Sequence, residues 1–525
     1  MSLSRRQLLA SLAGAAAATV ARPFPLGALA STASRSRPLR NALGNVDWMA
    51  VRDLFPLAKD WTHLSSFLFV SHPKPVAESI DYFRRKLDSD ATWFEIAAFS
   101  DSEGKPFAAV KKAIAGYIGA VPEEIAYTCN TTGGLAMAYH GLRIRPNQEI
   151  LTTEHDHFST HESIHYASDR SGCGVRRIAL YDTAASASVD QIVERVARNI
   201  RPNTRAVGVT WVHSSTGVKI PIEGIAQAVA RANRGRDSAD RCILIVDGVH
   251  GFANQDVDVA RLGADLFAAG THKWLFAPRG TGFLWGKRDV WQELRPTIPT
   301  FDTEGGMAVW DAWMDKQPLP PMRAAFVSPG GFIAYEHLLA IPAAVELHRT
   351  IGRDKIAARI AELNGAFREG VAKIPRVTLH TPRDPNLSGG ISCFEVAGLT
   401  PDQVVKRLAE KKIRATTSPY KVYRWATEGS VPTVAYSGDG NLAGSRLGDD
   451  LAAVGSSRLA AGYNSTPAVA GNNSYAIIDP TTATATAIAF TGTPPNAGDF
   501  RIVLNCLIRS DAGGLVSARQ RVRTA

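Results

Sequence analysis

The chain has 525 residues, 45% of them apolar and 21% charged, which is the balance of a globular protein of two or three domains and excludes a disordered or fibrous one. Its formal charge of +10 is spread without a basic block, so a solvated surface accounts for it and a nucleic-acid footprint is not implied. Five cysteines (Cys129, Cys173, Cys242, Cys393, Cys506) are too sparse and too odd in number for a disulfide framework and lack metal-ligand spacing. Cys129, Cys242 and Cys393 lie in apolar runs and read as small buried hydrophobes.

In chain order, Ser4-Arg5-Arg6-Gln7-Leu8-Leu9 precedes an alanine-rich, weakly apolar stretch to Val20, and Ala28-Leu29-Ala30 has the form of a signal-peptidase site. Residues 1–30 resemble a Tat export signal, which implies a bacterial protein in the periplasm or outside the cell, or in the cytoplasm where the signal is not used. The stretch is too short and too rich in Ala and Gly for a stable membrane span. From Asp47 to Arg424 helical and strand patterns alternate. Pro106–Gly119 repeats Phe107, Val110, Ile114 and Ile118 on one face, and Val189–Arg198 and Ile222–Ala232 are likewise helical. Glu149–Thr152, Arg176–Ala179, Ala206–Val212, Cys242–Val246 and Leu266–Ala268 read as buried strands, so a parallel sheet covered on both faces is expected over 45–320. In 321–428, two long helices (Phe332–Ile351 and Arg353–Ile374) precede the strands Val377–His380 and Gly390–Val396, a helix Pro401–Lys411 and a strand near Ile413–Thr416, the pattern of a smaller α+β domain. The last stretch, 429–525, is rich in Ala, Gly, Ser and Thr, lacks lysine and carries no catalytic motif.

Chemistry concentrates in Leu244–Trp285. Ile245-Val246-Asp247-Gly248-Val249-His250 puts a carboxylate at the end of a buried strand. Twenty-six residues later, Gly270-Thr271-His272-Lys273-Trp274 puts a lysine after a second strand, and the glycine-rich Pro278-Arg279-Gly280-Thr281-Gly282-Phe283-Leu284 follows. Singly, Asp247 reads as a strand-end turn and Lys273 as a solvated lysine; their order and spacing carry the functional sense. Upstream, Tyr127-Thr128-Cys129-Asn130-Thr131-Thr132-Gly133-Gly134 opens the helical run Leu135–Leu142, where free N–H groups face an anion or simply cap a helix. Glu154-His155-Asp156-His157 and Trp211-Val212-His213-Ser214-Ser215 each follow a strand. His213 has the alternative of a surface loop residue. His155, His157 and His161 fall within seven residues, but their spacing is not that of a zinc helix, and no metal is expected.

Together these segments resemble the class V aminotransferase family of pyridoxal 5'-phosphate (PLP) enzymes, over Asp47–Arg424. The resemblance implies the aspartate aminotransferase-like α/β fold, with a large domain of mostly parallel sheet, a smaller α+β domain, and a homodimer. It implies Lys273 as the Schiff-base lysine, Asp247 as partner of the pyridinium nitrogen and His250 near the ring hydroxyl or the lysine, these three being catalytic. It implies Thr131, Thr132, Thr271 and His272 at the phosphate, His157 (with His155 as fallback) stacked on the ring, and Ser214 near the ring hydroxyl. Trp61–Ser66 resembles the family's segment at the substrate mouth. Ser328-Pro329-Gly330-Gly331 resembles an element that touches the partner subunit's phosphate, with Gly331 in place of a threonine.

Gly270–Trp274, Pro278-Arg279-Gly280 and Thr417-Ser418-Pro419-Tyr420 are most similar to the isopenicillin N epimerase-like group, which spans epimerases, aminotransferases and lyases acting on an amino acid through a lysine aldimine. Ile413–Tyr420 has no cysteine where a desulfurase needs its thiolate, so desulfurase chemistry is disfavoured. Arg424 is the candidate for the substrate carboxylate. The alternative is a catalytically impaired, exported protein of the same fold with a binding role. It arises because the closing elements of the family are missing after Tyr423: the tail is either an appended β-rich or disordered module, or the product of a reading frame shifted near Val422.

Overall fold

The computed structural model describes residues 38–40, 44–65, 69–94, 106–417, 501–509 and 515–523. The segment 1–30, Ser418–Tyr420, Arg424 and the stretch 429–500 lie outside the described residues. The chain divides into two compact units, Met1–Tyr423 and Arg424–Ala525.

In the first unit, β1 (Thr62–His63) is followed by helices α1 (Lys74–Ser89) and α2 (Pro106–Ile118). Then come β2 (Ile125–Thr128), α3 (Thr131–Gly141), β3 (Glu149–Thr153), α4 (Phe158–Ser171), β4 (Gly174–Ile178), α5 (Val189–Asn199), β5 (Thr204–Thr210), α6 (Ile222–Ala232), β6 (Ile243–Asp247), β7 (Leu266–Gly270) and β8 (Gly282–Gly286). The seven strands β2 to β8 form one sheet in the order β2-β8-β7-β6-β5-β3-β4. Every residue of β5, β6 and β7 is buried, as near-continuous apolar strands covered on both faces should be. Helix α2 buries Val110, Ile114, Ala115 and Ile118 along one stripe, and α6 buries Ile222, Ile225, Ala228 and Val229. At the start of α5 the Ser188 side chain accepts the Gln191 N–H and caps the helix.

The sheet is mostly parallel, with one correction to the expectation. Gly282–Gly286, read from sequence as part of a glycine-rich loop, is a strand, and it runs antiparallel between β2 and β7. The reason is connection length: residues 271–281 between β7 and β8 are too few for the crossover that a parallel return requires. Strand β5 also stops at Thr210, short of the expected Val212, which makes Thr210 its last residue.

After the sheet, the run 332–351 is two helices, α7 (Tyr335–Leu339) and α8 (Ile341–Ile351), instead of one. Pro342 has no N–H for the carbonyl a turn earlier, and the chain restarts at Ala340, which caps both helices. Helix α9 (Arg353–Val371) leads to β9 (Val377–Leu379) and β10 (Phe394–Val396), an antiparallel pair. Helix α10 (Pro401–Glu410) opens with a capping box between Thr400 and Gln403 and is followed by β11 (Ile413–Arg414), which pairs in parallel with β1. The early and late parts of the unit are thereby joined. Cys242 is buried as expected, as is Cys173, and Cys393 is only half-buried, but Cys129 is exposed, against expectation, because β2 ends at Thr128 and Cys129 begins the turn into α3. The second unit contains β12 (Arg501–Arg509) and β13 (Leu515–Arg523), paired antiparallel.

Candidate active site

Parallel strands end on the same edge of a sheet, and ligands of such sheets sit there. Thr153, Thr210, Asp247 and Gly270 are the last residues of β3, β5, β6 and β7. A cavity of about 830 Å³ lies beyond them, lined on one side by the loops that follow these strands and on the other by residues of α9, β10, α10 and β11. Of the residues singled out in the sequence, Thr131, Thr132, His155, His157, His213, Ser214, Asp247, His250, His272 and Lys273 line it. His63, Leu64 and Ser65 line it too.

Asp247 is buried at the end of β6; its Oδ1 accepts the Val249 N–H at 3.1 Å and its Oδ2 the Thr160 hydroxyl at 3.3 Å. Burial raises its pKa to about 6, against the opposing pull of the Val249 N–H and of Lys273. The turn after it is possible only with glycines: a Cβ on Gly248 would lie 1.8 Å from the Phe267 ring and one on Gly251 2.1 Å from Trp211. That turn delivers His250, whose Nε2 lies 3.2 Å from Lys273 Nζ. Burial lowers the Lys273 pKa to about 8, opposed by the negative charge of Asp247.

Around this pair, His157 caps α4, its Nδ1 accepting the Ser159 N–H at 3.3 Å, and burial followed by the charge of Lys273 lowers its pKa to about 4. The fallback His155 also lines the cavity, but its ring stacks on Tyr181 at 4.0 Å and its Nε2 accepts the Leu180 N–H. Asp156, between them, ties two strand ends together by accepting from Thr152, Thr153 and the Thr210 N–H. His213 is buried, not a surface loop residue, and its Nδ1 meets the Tyr181 hydroxyl at 3.1 Å.

At the start of α3, Asn130 accepts the Gly133 N–H, and the Thr131 hydroxyl accepts the Gly270 N–H at 2.7 Å. The N–H groups of Thr131 and Thr132 have no acceptor among the described residues, as expected of the first positions of a helix. His272 Nδ1 donates to the Thr281 carbonyl at 3.2 Å. Thr271 does not line the cavity: it is fully buried and its hydroxyl bonds to that of Thr281. Gly331 has φ +100°, a conformation in which a threonine would be strained. No helix among the described residues is long and apolar enough to cross a membrane, and no group of three or more His, Cys, Asp or Glu among them is placed to hold a metal ion.

Sequence reasoning passed over Trp274 as a hydrogen-bond donor and Thr210 as a site residue. The Trp274 indole N–H points at His250 Nδ1, 3.2 Å away. Thr210 lines the cavity with a buried hydroxyl that has no partner among the described residues. The position of Thr210 at a strand's carboxyl end was the available signal.

The aminotransferase class-V profile matches residues 71–419. The chain is 27% identical over 296 residues to an isopenicillin N epimerase of Amycolatopsis lactamdurans, covering 54% of this chain and 70% of that one. It is 25% identical over 363 residues to a probable cysteine desulfurase of Methanothermobacter thermautotrophicus, covering 69% and 84%. Among solved structures, the cystine C-S lyase C-DES in complex with cysteine persulfide superposes with a TM-score of 0.58 at 21% identity over 69% of this chain and 91% of that one. A cysteine desulfurase from Thermococcus onnurineus NA1 gives 0.58 and 21% over 70% and 86%. These structures share the fold described above. The chain belongs to the aminotransferase class-V family, whose cofactor is pyridoxal 5'-phosphate.

Proposed function

We propose that this chain is an enzyme that holds PLP through Lys273 and removes the α-proton of an amino acid, in a reaction of epimerase, aminotransferase or lyase type. The observation that carries this is one cavity containing a half-buried amine and a buried carboxylate, Lys273 and Asp247, both shifted by burial toward neutrality. The residues fit the cofactor. The unpaired N–H groups of Thr131 and Thr132 suit a phosphate at a helix N-terminus. Asp247 suits a protonated ring nitrogen, whose positive charge would offset the cost of burying the carboxylate. The orphaned Thr210 hydroxyl supports a polar group in the cavity. In this reading His157, Ser214, His250 and His272, all of which line the cavity, would meet the ring face (His157), the ring hydroxyl (Ser214 and His250) and the phosphate (His272).

When bound, the cofactor supplies an aldehyde for amines and a ring that disperses negative charge from carbon. This chain's own residues orient the substrate, exclude water and move the proton. Lys273, neutral above about pH 8, takes the proton from substrate Cα. Desulfurase chemistry is disfavoured because Cys393, the cysteine that lines the cavity among the described residues, has its thiol pushed up to about 12 by burial. Arg424 stays the candidate for the substrate carboxylate.

A homodimer is part of the proposal, supported by exposed Phe301, Trp310, Trp313 and Phe332, large apolar side chains that a monomer rarely presents. So is export, supported by Arg5-Arg6, and an Arg5→Lys/Arg6→Lys variant retained in the cytoplasm would test it. The functional test is proton NMR of amino acids incubated with the PLP-loaded protein in deuterated water. Loss of the α-proton signal for at least one amino acid, absent with Lys273→Ala, is expected. Cofactor binding with no exchange for any amino acid would favour the impaired, binding-only alternative.

A further inference from the structure

We infer that Trp274 is a positioning residue that fixes His250 with its proton on Nε2, so that His250 donates to Lys273 and lowers the pH at which that side chain becomes the neutral amine. An indole N–H is a donor only, so His250 Nδ1, 3.2 Å from Trp274 Nε1, must be the accepting nitrogen. Burial and the nearby Lys273 hold the His250 pKa well below its ordinary value, so the ring is neutral and carries one proton. With Nδ1 accepting, that proton sits on Nε2, which lies 3.2 Å from Lys273 Nζ. An N–H facing Nζ finds a lone pair on an amine and a clash of donors on an ammonium. The hydrogen bond therefore adds direction to what burial already does.

The indole is seated for this purpose. Its Cη2 would lie 2.7 Å from a Cβ on Gly390, so a glycine there gives the ring room. The backbone turn after it closes by Phe276 N–H to Lys273 carbonyl and Ala277 N–H to Thr271 carbonyl. Phe276 itself has φ +59° and packs its ring against Phe55 at 4.9 Å. The other titratable groups acting on the pair are Asp247 from β6, His157 from α4 and His272 from the β7–β8 loop. Burial lowers both histidines and keeps them uncharged at neutral pH, which leaves Asp247 as the charge opposing the effect on Lys273.

The inference rests on Lys273 as the cofactor lysine, but its test is read on the full-length protein before cofactor is added, so failure of that assignment leaves it readable. Two measurements are made. In the first, multiple-bond ¹H–¹⁵N spectra of histidine-labelled protein, with His250 assigned by its loss in His250→Gln, report the tautomer. A proton on Nε2 is expected, and one on Nδ1 overturns the inference without any variant of Trp274. In the second, trace acetylation read by mass spectrometry gives the pH midpoint of Lys273 reactivity. Trp274→Phe, which keeps an aromatic ring but removes the donor, is expected to raise the midpoint by about one unit, about tenfold less neutral amine at pH 7. Loss of thermal stability with the midpoint unmoved would mean that Trp274 only fills space, and the inference would fall.

Discussion

Replacing Asp247 by Asn separates stability from function. The carboxylate is fully buried, and its pKa is raised from 3.8 to about 6, with burial as the largest cause. Because the folded protein binds this proton more tightly than the unfolded chain, the carboxyl's favourable contribution is fully present below pH 3.8 and is lost as pH rises through about 6. At about 1.36 kcal/mol per unit, keeping the ionised group buried costs the cofactor-free protein about 3 kcal/mol above that range. The amide of the Asp247→Asn variant retains an oxygen for the Val249 N–H and carries no charge, so the cofactor-free variant should be more stable than wild type at neutral pH. Roughly 1 kcal/mol of that gain should develop between pH 5 and pH 7.5. Its affinity for PLP should fall by about one to two orders of magnitude, since a charge-assisted hydrogen bond is lost. Urea unfolding of both proteins at the two pH values reads the first effect and PLP titration the second. A stability difference that does not grow with pH, or a variant that is less stable at pH 7.5, would refute the reasoning.

Other expectations follow from the same geometry. Gly248→Ala drives a methyl group into the Phe267 ring and should cost about 3 kcal/mol or more in urea unfolding, with cofactor binding impaired by displacement of Asp247 and His250. Thr131→Val removes the acceptor of the buried Gly270 N–H and should cost about 1–3 kcal/mol, with weaker PLP binding in the same titration. The rate at which the cofactor-free protein captures PLP should rise about tenfold per pH unit below about 8 and level off above, as Lys273 loses its proton; a stopped-flow pH series measures it. Gly331→Thr supplies a hydroxyl but forces a β-branched residue to φ +100°, so thermal melts should show a loss of about 1–3 kcal/mol.

What was legible in the sequence was what depends on local pattern. Helix α6 matches its expected span, and α2 and α5 match within a residue, because their apolar spacing follows the helical period. The strands β3, β5, β6 and β7 were found as apolar runs flanked by turns, and the cavity forms where their carboxyl ends meet. Less legible were features set by tertiary context. The strand Gly282–Gly286 was hidden by its glycines, which sit in the sheet because Thr128 and the Trp291 ring approach too closely for a side chain. Thr271 sits directly before the cavity-lining His272 and Lys273, yet its hydroxyl turns to Thr281, an orientation no spacing reveals. Sequence preferred His157 to His155 without showing why, and the contacts that separate them, His155 with Tyr181 and Leu180 and His157 with the start of α4, come from the fold. The burial of His213 depends on Tyr181 and Asp156, which lie far from it in the chain.

The central claim is that Lys273 holds the cofactor, and borohydride reduction followed by peptide mapping tests it most directly. The PLP-loaded protein is expected to show a visible absorption band that borohydride bleaches, and a pyridoxyl-phosphate adduct on the peptide containing Lys273 and on no other lysine. Lys273→Ala is expected to show neither. An adduct at a different lysine, or a bleachable band that survives in Lys273→Ala, would contradict the account.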